Sequence, residues 1–144
     1  MKTGHVGLNV TDLDRSVDFY RRVLGLELLS EIGEGKERYA RLGRGGELLI
    51  TLWQQSTGTF DTARPGLHHL AFQVDTPDEV RKAEQVVREL GATLFYDGVV
   101  AHREGATSGG IFFTDPDGTR LEIATADIGT APAPHADAPT CGFF

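Results

Sequence analysis

Three positions in this 144-residue chain pair metal-ligand side chains with strands that could bring them to one face: His5, His69 and Glu122. Two imidazoles and one carboxylate are a sufficient ligand set for Fe(II), Mn(II), Zn(II) or Ni(II), and they leave positions open for water or substrate. An ion held this way could grip adjacent oxygens of a small substrate and stabilise the charge that develops on them. Each residue also has an ordinary explanation. A strand glutamate commonly meets an arginine or solvent, and a lone histidine is more often a hydrogen-bonded core residue than a ligand. His102, in a Gly-rich loop, is the credible acid-base candidate, because imidazole titrates in the useful range. His135 lies in the tail.

The elements that must position these groups can be read from the alternation of the chain. Glu122 follows Thr114-Asp115-Pro116-Asp117-Gly118-Thr119, in which Pro116 presets φ and Gly118 lets a hairpin close. On the return strand Leu121 and Ile123 share one face, and Arg120, Glu122 and Ala124 the other. His5 opens a strand with Val6, Leu8 and Val10 behind and His5, Gly7 and Asn9 in front. Cap residues at 11–14 then lead into Leu13, Val17, Tyr20 and Leu24 at helical spacing, with Gly25 as the stop. Residues 26–55, broken by glycines, hold three short strands, and the last (47–54) puts Leu49, Thr51 and Trp53 in front. Residues 56–66 form a linker.

The pattern then restarts. His69 precedes Leu70, Phe72 and Val74 behind, with Ala71 and Gln73 in front, and Thr76-Pro77-Asp78-Glu79 is a capping box opening a helix that Gly91 closes. Strands are expected around 94–96, 111–113 and 120–124. The chain is thus a tandem repeat of a βαβββ unit, α+β in class, and the repeat superimposes His5 on His69 and Thr51 on Glu122. It also selects His69 over His68 as the front-facing histidine. On parity Leu49, Trp53 and Phe112 would wall a pocket, with Asn9, Thr51 and Gln73 as its polar contacts. Residues 127–144 are Ala/Pro-rich and expected to be disordered, up to the apolar end Cys141-Gly142-Phe143-Phe144.

Composition argues against two classes of partner, leaving the small-molecule substrate that the candidate ligand set suggests. A net charge of −7 argues against nucleic acid, and no apolar run is long enough to span a membrane. A single cysteine and an N-terminus without an apolar leader point to a cytoplasmic protein.

The opening HVGLNVTDLDRSVDFYRRVLGL, the restart GLHHLAFQVD and the closing FFTDPDGTRLEI resemble the vicinal oxygen chelate superfamily of glyoxalases, bleomycin resistance proteins, extradiol dioxygenases and fosfomycin-resistance enzymes. The resemblance spans residues 3–126 and implies one domain, with modules at 3–55 and 67–126 forming a concave mixed sheet. It implies that one divalent ion sits in that cleft, with His5, His69 and Glu122 on the ligand positions. A homodimer, often with the site shared between chains, is implied as well. Departures from the family pattern bear on the reaction. Glyoxalase I of bacterial type has a glutamate ligand where this chain has Thr51, and extradiol dioxygenases have a tyrosine where it has Phe112. The loop Gly105-Ala106-Thr107-Ser108-Gly109-Gly110 lacks the basic residues of fosfomycin-modifying enzymes. Dioxygenase-like chemistry on Fe(II) is placed ahead, because three ligands leave room for substrate and dioxygen. A glyoxalase-like isomerase or lyase, and a non-catalytic resistance protein binding its ligand in the same cleft, are the alternatives.

Overall fold

A computed structural model describes residues 1–134 and divides the chain into two compact units, Met1–Phe60 and a second that begins at Asp61. The first unit runs β1 (Val6–Asn9), α1 (Leu13–Leu24), β2 (Glu27–Ile32), β3 (Tyr39–Arg44) and β4 (Glu47–Trp53). Its strands form one sheet in the order β1-β4-β3-β2, with β1 parallel to β4 and the other pairs antiparallel. The second runs β5 (Leu70–Gln73), α2 (Pro77–Glu89), β6 (Val100–Ala101), β7 (Gly109–Thr114) and β8 (Arg120–Thr125). Its sheet has the equivalent order, β5-β8-β7-β6, and the same mixture of directions. The tandem βαβββ repeat is therefore present.

Local chemistry explains both helices. Asp12 Oδ1 accepts from the Arg15 backbone N–H at 3.0 Å, which satisfies one of the free donors at the start of α1, and Gly25 ends the helix at φ 63°. Leu13, Val17, Tyr20 and Val23 are buried along one stripe of α1, facing Ala40, Leu42, Ile50 and Leu52 of β3 and β4. Each apolar side chain so buried contributes about 1.5–3 kcal/mol. At α2 the Thr76 N–H donates to Glu79 Oε2 at 3.0 Å, and Thr76 Oγ1 accepts from the Glu79 N–H in return. Val80, Ala83 and Val87 carry the buried stripe against β7 and β8. Among the described residues no helix is long and apolar enough to cross a membrane.

The hairpin between β7 and β8 is the feature on which the site depends. Asp115 is almost fully buried, and its Oδ1 accepts from the backbone N–H groups of Asp117 at 2.9 Å and Thr119 at 2.7 Å. Backbone bonds from Asp115 N to Thr119 O and from Gly118 N to Asp115 O complete the turn. The resulting register places Phe112 opposite Glu122 and Gly110 opposite Ala124.

Two expectations need correction. The strand expected at 94–96 is reduced to a single bridge between Leu94 and Phe113, and the outer strand of the second sheet is Val100–Ala101. It is only two residues long, too short for alternation to mark. The disordered tail expected from 127 does not begin there. Ile128 is buried, its N–H donates to Thr107 O at 2.8 Å, and Pro132 O accepts from Ala101 N at 3.0 Å. Ile128 supplies an apolar anchor to a segment whose composition otherwise reads as loose. His135 and the end Cys141-Gly142-Phe143-Phe144 lie outside the described residues.

Candidate metal site

Glu122 sits in the middle of β8 and is only 3% exposed. Burying a carboxylate costs several kcal/mol, roughly, unless its oxygens find partners. Oε1 has one, since His102 Nε2 lies 2.7 Å away. Among the described residues Oε2 accepts no hydrogen bond, and His69 Nε2 lies 3.5 Å from it. The other nitrogen of His69 is occupied, because its Nδ1 lies 2.8 Å from His68 Nδ1. One of those two must donate and the other accept. With His69 Nδ1 as the donor, its Nε2 carries a lone pair on the side of Glu122. Burial, which outweighs the attraction of Glu122, holds the His69 pKa below the ordinary imidazole value, and His68 and Arg120 push it the same way. A neutral imidazole beside a buried, unsatisfied carboxylate oxygen is a donor pair that a divalent cation would satisfy.

His102 follows β6, and Ser108 fixes it twice. Its N–H donates to Ser108 O at 3.0 Å, and its Nδ1 lies 3.1 Å from Ser108 Oγ. Its ring meets Phe112 edge-on at 6.2 Å, and Phe112 meets Tyr96 edge-on at 6.0 Å. An open cleft of about 350 Å³ lies in front of these groups, lined among others by Ala71, Gln73, His102, Ser108, Glu122 and Ala124. The three small residues Ala71, Ala124 and Ala126 leave its floor open, and Gln73 contributes an exposed amide.

The second unit thus brings together His69, Glu122, His102 and Gln73. Phe112 shares the face of Glu122 by register but is fully buried under Tyr96 and His102, so it packs beneath that cleft and does not line it. The remaining candidates lie on the first unit. His5 and Asn9 are exposed, Leu49 is 40% exposed, and Thr51 is buried. Trp53 stacks on Tyr39 with ring centres 4.4 Å apart. Thr51 pairs with Gly7 on one side and Arg41 on the other, so Arg41 shares its face. Among the described residues no three His, Cys, Asp or Glu side chains are grouped closely enough to hold a metal ion by themselves.

Sequence reasoning missed Ser108, Tyr39, Tyr96 and Arg41. Tyr39 and Arg41 alternate with Ala40 and Leu42 on β3, so parity was the available signal. Nothing in the spacing of His102 and Ser108 signals that both nitrogen and backbone of one meet the other.

A family model described as the Glyoxalase/Bleomycin resistance protein/Dioxygenase superfamily matches residues 2–123. The chain is 34% identical over 129 residues to the lactoylglutathione lyase of Neisseria meningitidis serogroup A, covering 85% of this chain and 89% of that protein. It is 35% identical over 135 residues to the lactoylglutathione lyase of Escherichia coli O157:H7, with coverage of 85% and 91%. Among solved structures, a glyoxylase/bleomycin resistance protein/dioxygenase domain from Frankia sp. EAN1pec superposes with a TM-score of 0.75 at 28% identity, covering 90% of this chain and 95% of that one. With its repeated βαβββ units and a buried carboxylate beside a neutral histidine, the chain belongs to the glyoxalase/bleomycin resistance protein/dioxygenase superfamily.

Proposed function

We propose that this chain is a metal-dependent, glyoxalase-like lyase or isomerase acting on a small substrate with oxygens on neighbouring carbons. The observation that carries the proposal is Glu122 Oε2, a buried carboxylate oxygen that accepts no hydrogen bond among the described residues and lies 3.5 Å from His69 Nε2. In this reading His69 and Glu122 are the ligands the second unit supplies, and His5, from the same chain or from a second copy in a homodimer, completes the set. Iron, manganese, zinc and nickel all suit such donors. A bound ion would act as a Lewis acid toward the substrate oxygens.

The chain's own residues would do the rest. Isomerisation of this kind takes a proton from a carbon that bears one oxygen and returns it to the adjacent carbon. Glu122 lines the cleft and is the group that would take that proton and return it, while His102, 2.7 Å away, would hold the carboxylate through its Nε2–H. Gln73 is placed to orient a polar substrate group, and the alanine floor admits its carbon chain. The names of the relatives support lyase chemistry over the dioxygenase chemistry expected from the ligand count. Thr51 favours the dioxygenase as a second reading, since a hydroxyl at that position leaves the set one carboxylate short and more open. A cytoplasmic location belongs to the same proposal.

The test is elemental analysis and the rate of lactoylglutathione formation from glutathione and the matching 2-oxoaldehyde for the full chain beside Glu122→Ala. The expected result is about one equivalent of divalent metal per chain and measurable turnover, both lost in the variant. A Glu122→Ala protein that keeps its metal and its rate would overturn the proposal. Metal binding without turnover, joined to oxygen consumption on a catechol, would replace it with the second reading. A wild-type protein that holds no metal yet binds small aromatic ligands would be a sequestering protein instead.

A further inference from the structure

We propose that His102, anchored by Ser108, is a positioning residue that fixes Glu122 so that only Oε2 is presented to the cation. The inference rests on the metal reading above and assigns His102 a role that does not depend on its gaining or losing a proton.

The argument begins with the carboxylate, whose two oxygens have different surroundings. Oε1 receives a short bond from His102 Nε2 at 2.7 Å, while Oε2 receives none among the described residues and lies 3.5 Å from His69 Nε2. A carboxylate held by one oxygen cannot turn without breaking that bond, so the free oxygen has one direction to point. The holder must itself be rigid for this to matter. His102 is gripped by Ser108 through its backbone N–H at 3.0 Å and through Nδ1 at 3.1 Å. A Ser108 hydroxyl donating to Nδ1 places the ring proton on Nε2, where Glu122 needs it.

The loop between His102 and Ser108 is pinned at both ends. Ala101 pairs with Gly109 across the β6–β7 ladder, and Thr107 O accepts from Ile128 N at 2.8 Å. A Cβ on Gly109 would overlap the Val100 carbonyl oxygen and the Ile128 side chain, so the closeness of this packing requires glycine. Phe112, wholly buried, backs the imidazole ring from below. The loop residue Ser108 that orients His102 is thus held at the edge of the β6–β7 ladder, with a buried phenylalanine behind the ring.

The experiment is a titration of the metal-free full chain with Mn(II) and, separately, Ni(II), for the wild type, His102→Ala, His102→Gln, Ser108→Ala and the double variant His102→Ala/Ser108→Ala. Loss of such a supporting partner costs about 10- to 100-fold in metal affinity, which is the expected result for His102→Ala. Glutamine can reach Oε1 with an amide N–H, so His102→Gln should bind within about threefold of wild type by retaining the donor. Ser108→Ala should weaken binding alone but add nothing to His102→Ala, because it acts through that ring. Wild-type affinity in His102→Ala overturns the positioning role while leaving the metal site standing, and so does a His102→Gln protein as weak as the alanine variant. A wild-type chain that binds neither ion overturns the role together with the reading it rests on. Should His102→Ala fail to fold, the glutamine and serine variants decide the matter, with affinity losses in Ser108→Ala supporting the role and none overturning it.

Discussion

Replacing Asp115 by alanine tests whether the turn before β8 holds Glu122 in place. Asp115 is 4% exposed, and one of its carboxylate oxygens accepts two backbone N–H groups, from Asp117 at 2.9 Å and Thr119 at 2.7 Å. Hydrogen bonds to a charged acceptor contribute about 1.5–3 kcal/mol each, and alanine would leave both donors without a partner. Because the two bonds share an oxygen they do not add fully, so Asp115→Ala should lose about 3–4 kcal/mol. That is a large part of the roughly 5–15 kcal/mol that stabilises a domain. Asparagine keeps an acceptor at the same reach without the charge, and Asp115→Asn should cost only about 1–2 kcal/mol. Urea unfolding is the assay, with the midpoint expected to fall and the slope to stay constant. The reasoning fails if the two variants cost the same, or if alanine costs less than about 1 kcal/mol, below what even one such bond contributes. In that case the backbone bonds Asp115 N to Thr119 O and Gly118 N to Asp115 O hold the turn alone.

Three further outcomes are expected. Gly110→Ala would drive a Cβ onto the Ile123 carbonyl oxygen and within 2.7 Å of Ala124 Cα, prising β7 from β8 beside Glu122; it should cost about 1–3 kcal/mol in thermal unfolding and weaken metal binding. Thr76→Ala removes one half of the capping box on α2 and should cost about 1 kcal/mol in the same assay while leaving metal affinity unchanged. In the metal-free protein the His69 ring should titrate, by NMR, below the ordinary value of 6.5 because burial disfavours its charged form. Between that midpoint and 6.5 the unfolded chain binds more protons than the native one, so stability rises with pH across the window and levels off above it. A His69 midpoint above 6.5 would show that the attraction of Glu122 outweighs burial.

Alternation and helical spacing carried most of the fold, because the two helices and the first strand of each unit put their apolar residues on one face. Val6 and Leu8 behind β1, and the Thr76 to Glu79 box ahead of α2, are patterns in which local preference and burial agree. The sequence could not reveal Val100–Ala101 as a strand, since two residues show no period and their place is set by Gly109, which lets the backbones approach. The same limit applies to the site. Glu122 and Gln73 lie at alternating strand positions that parity can read, but the contacts that orient Glu122 come from a loop. There His102 and Ser108 meet through backbone and side chain at once, and no periodicity governs either.

The two units also show how one framework can carry different chemistry. Gly7 stands opposite Thr51 in the first sheet as Ala71 stands opposite Glu122 in the second, so the repeat equates the two positions by register as well as by sequence. Their other neighbours differ in kind. Across the next ladder Thr51 meets Arg41, an exposed cation, whereas Glu122 meets Phe112, which is buried and neutral. A carboxylate beside an arginine would be paired within the sheet and drawn away from any ion in front of it. One beside a phenylalanine must find its partners forward, in His102 and in whatever lies before Oε2. The residue across the ladder therefore bears on what this position can do: Arg41 stands beside Thr51, whereas Phe112 beside Glu122 leaves the carboxylate to find its partners in front of the sheet.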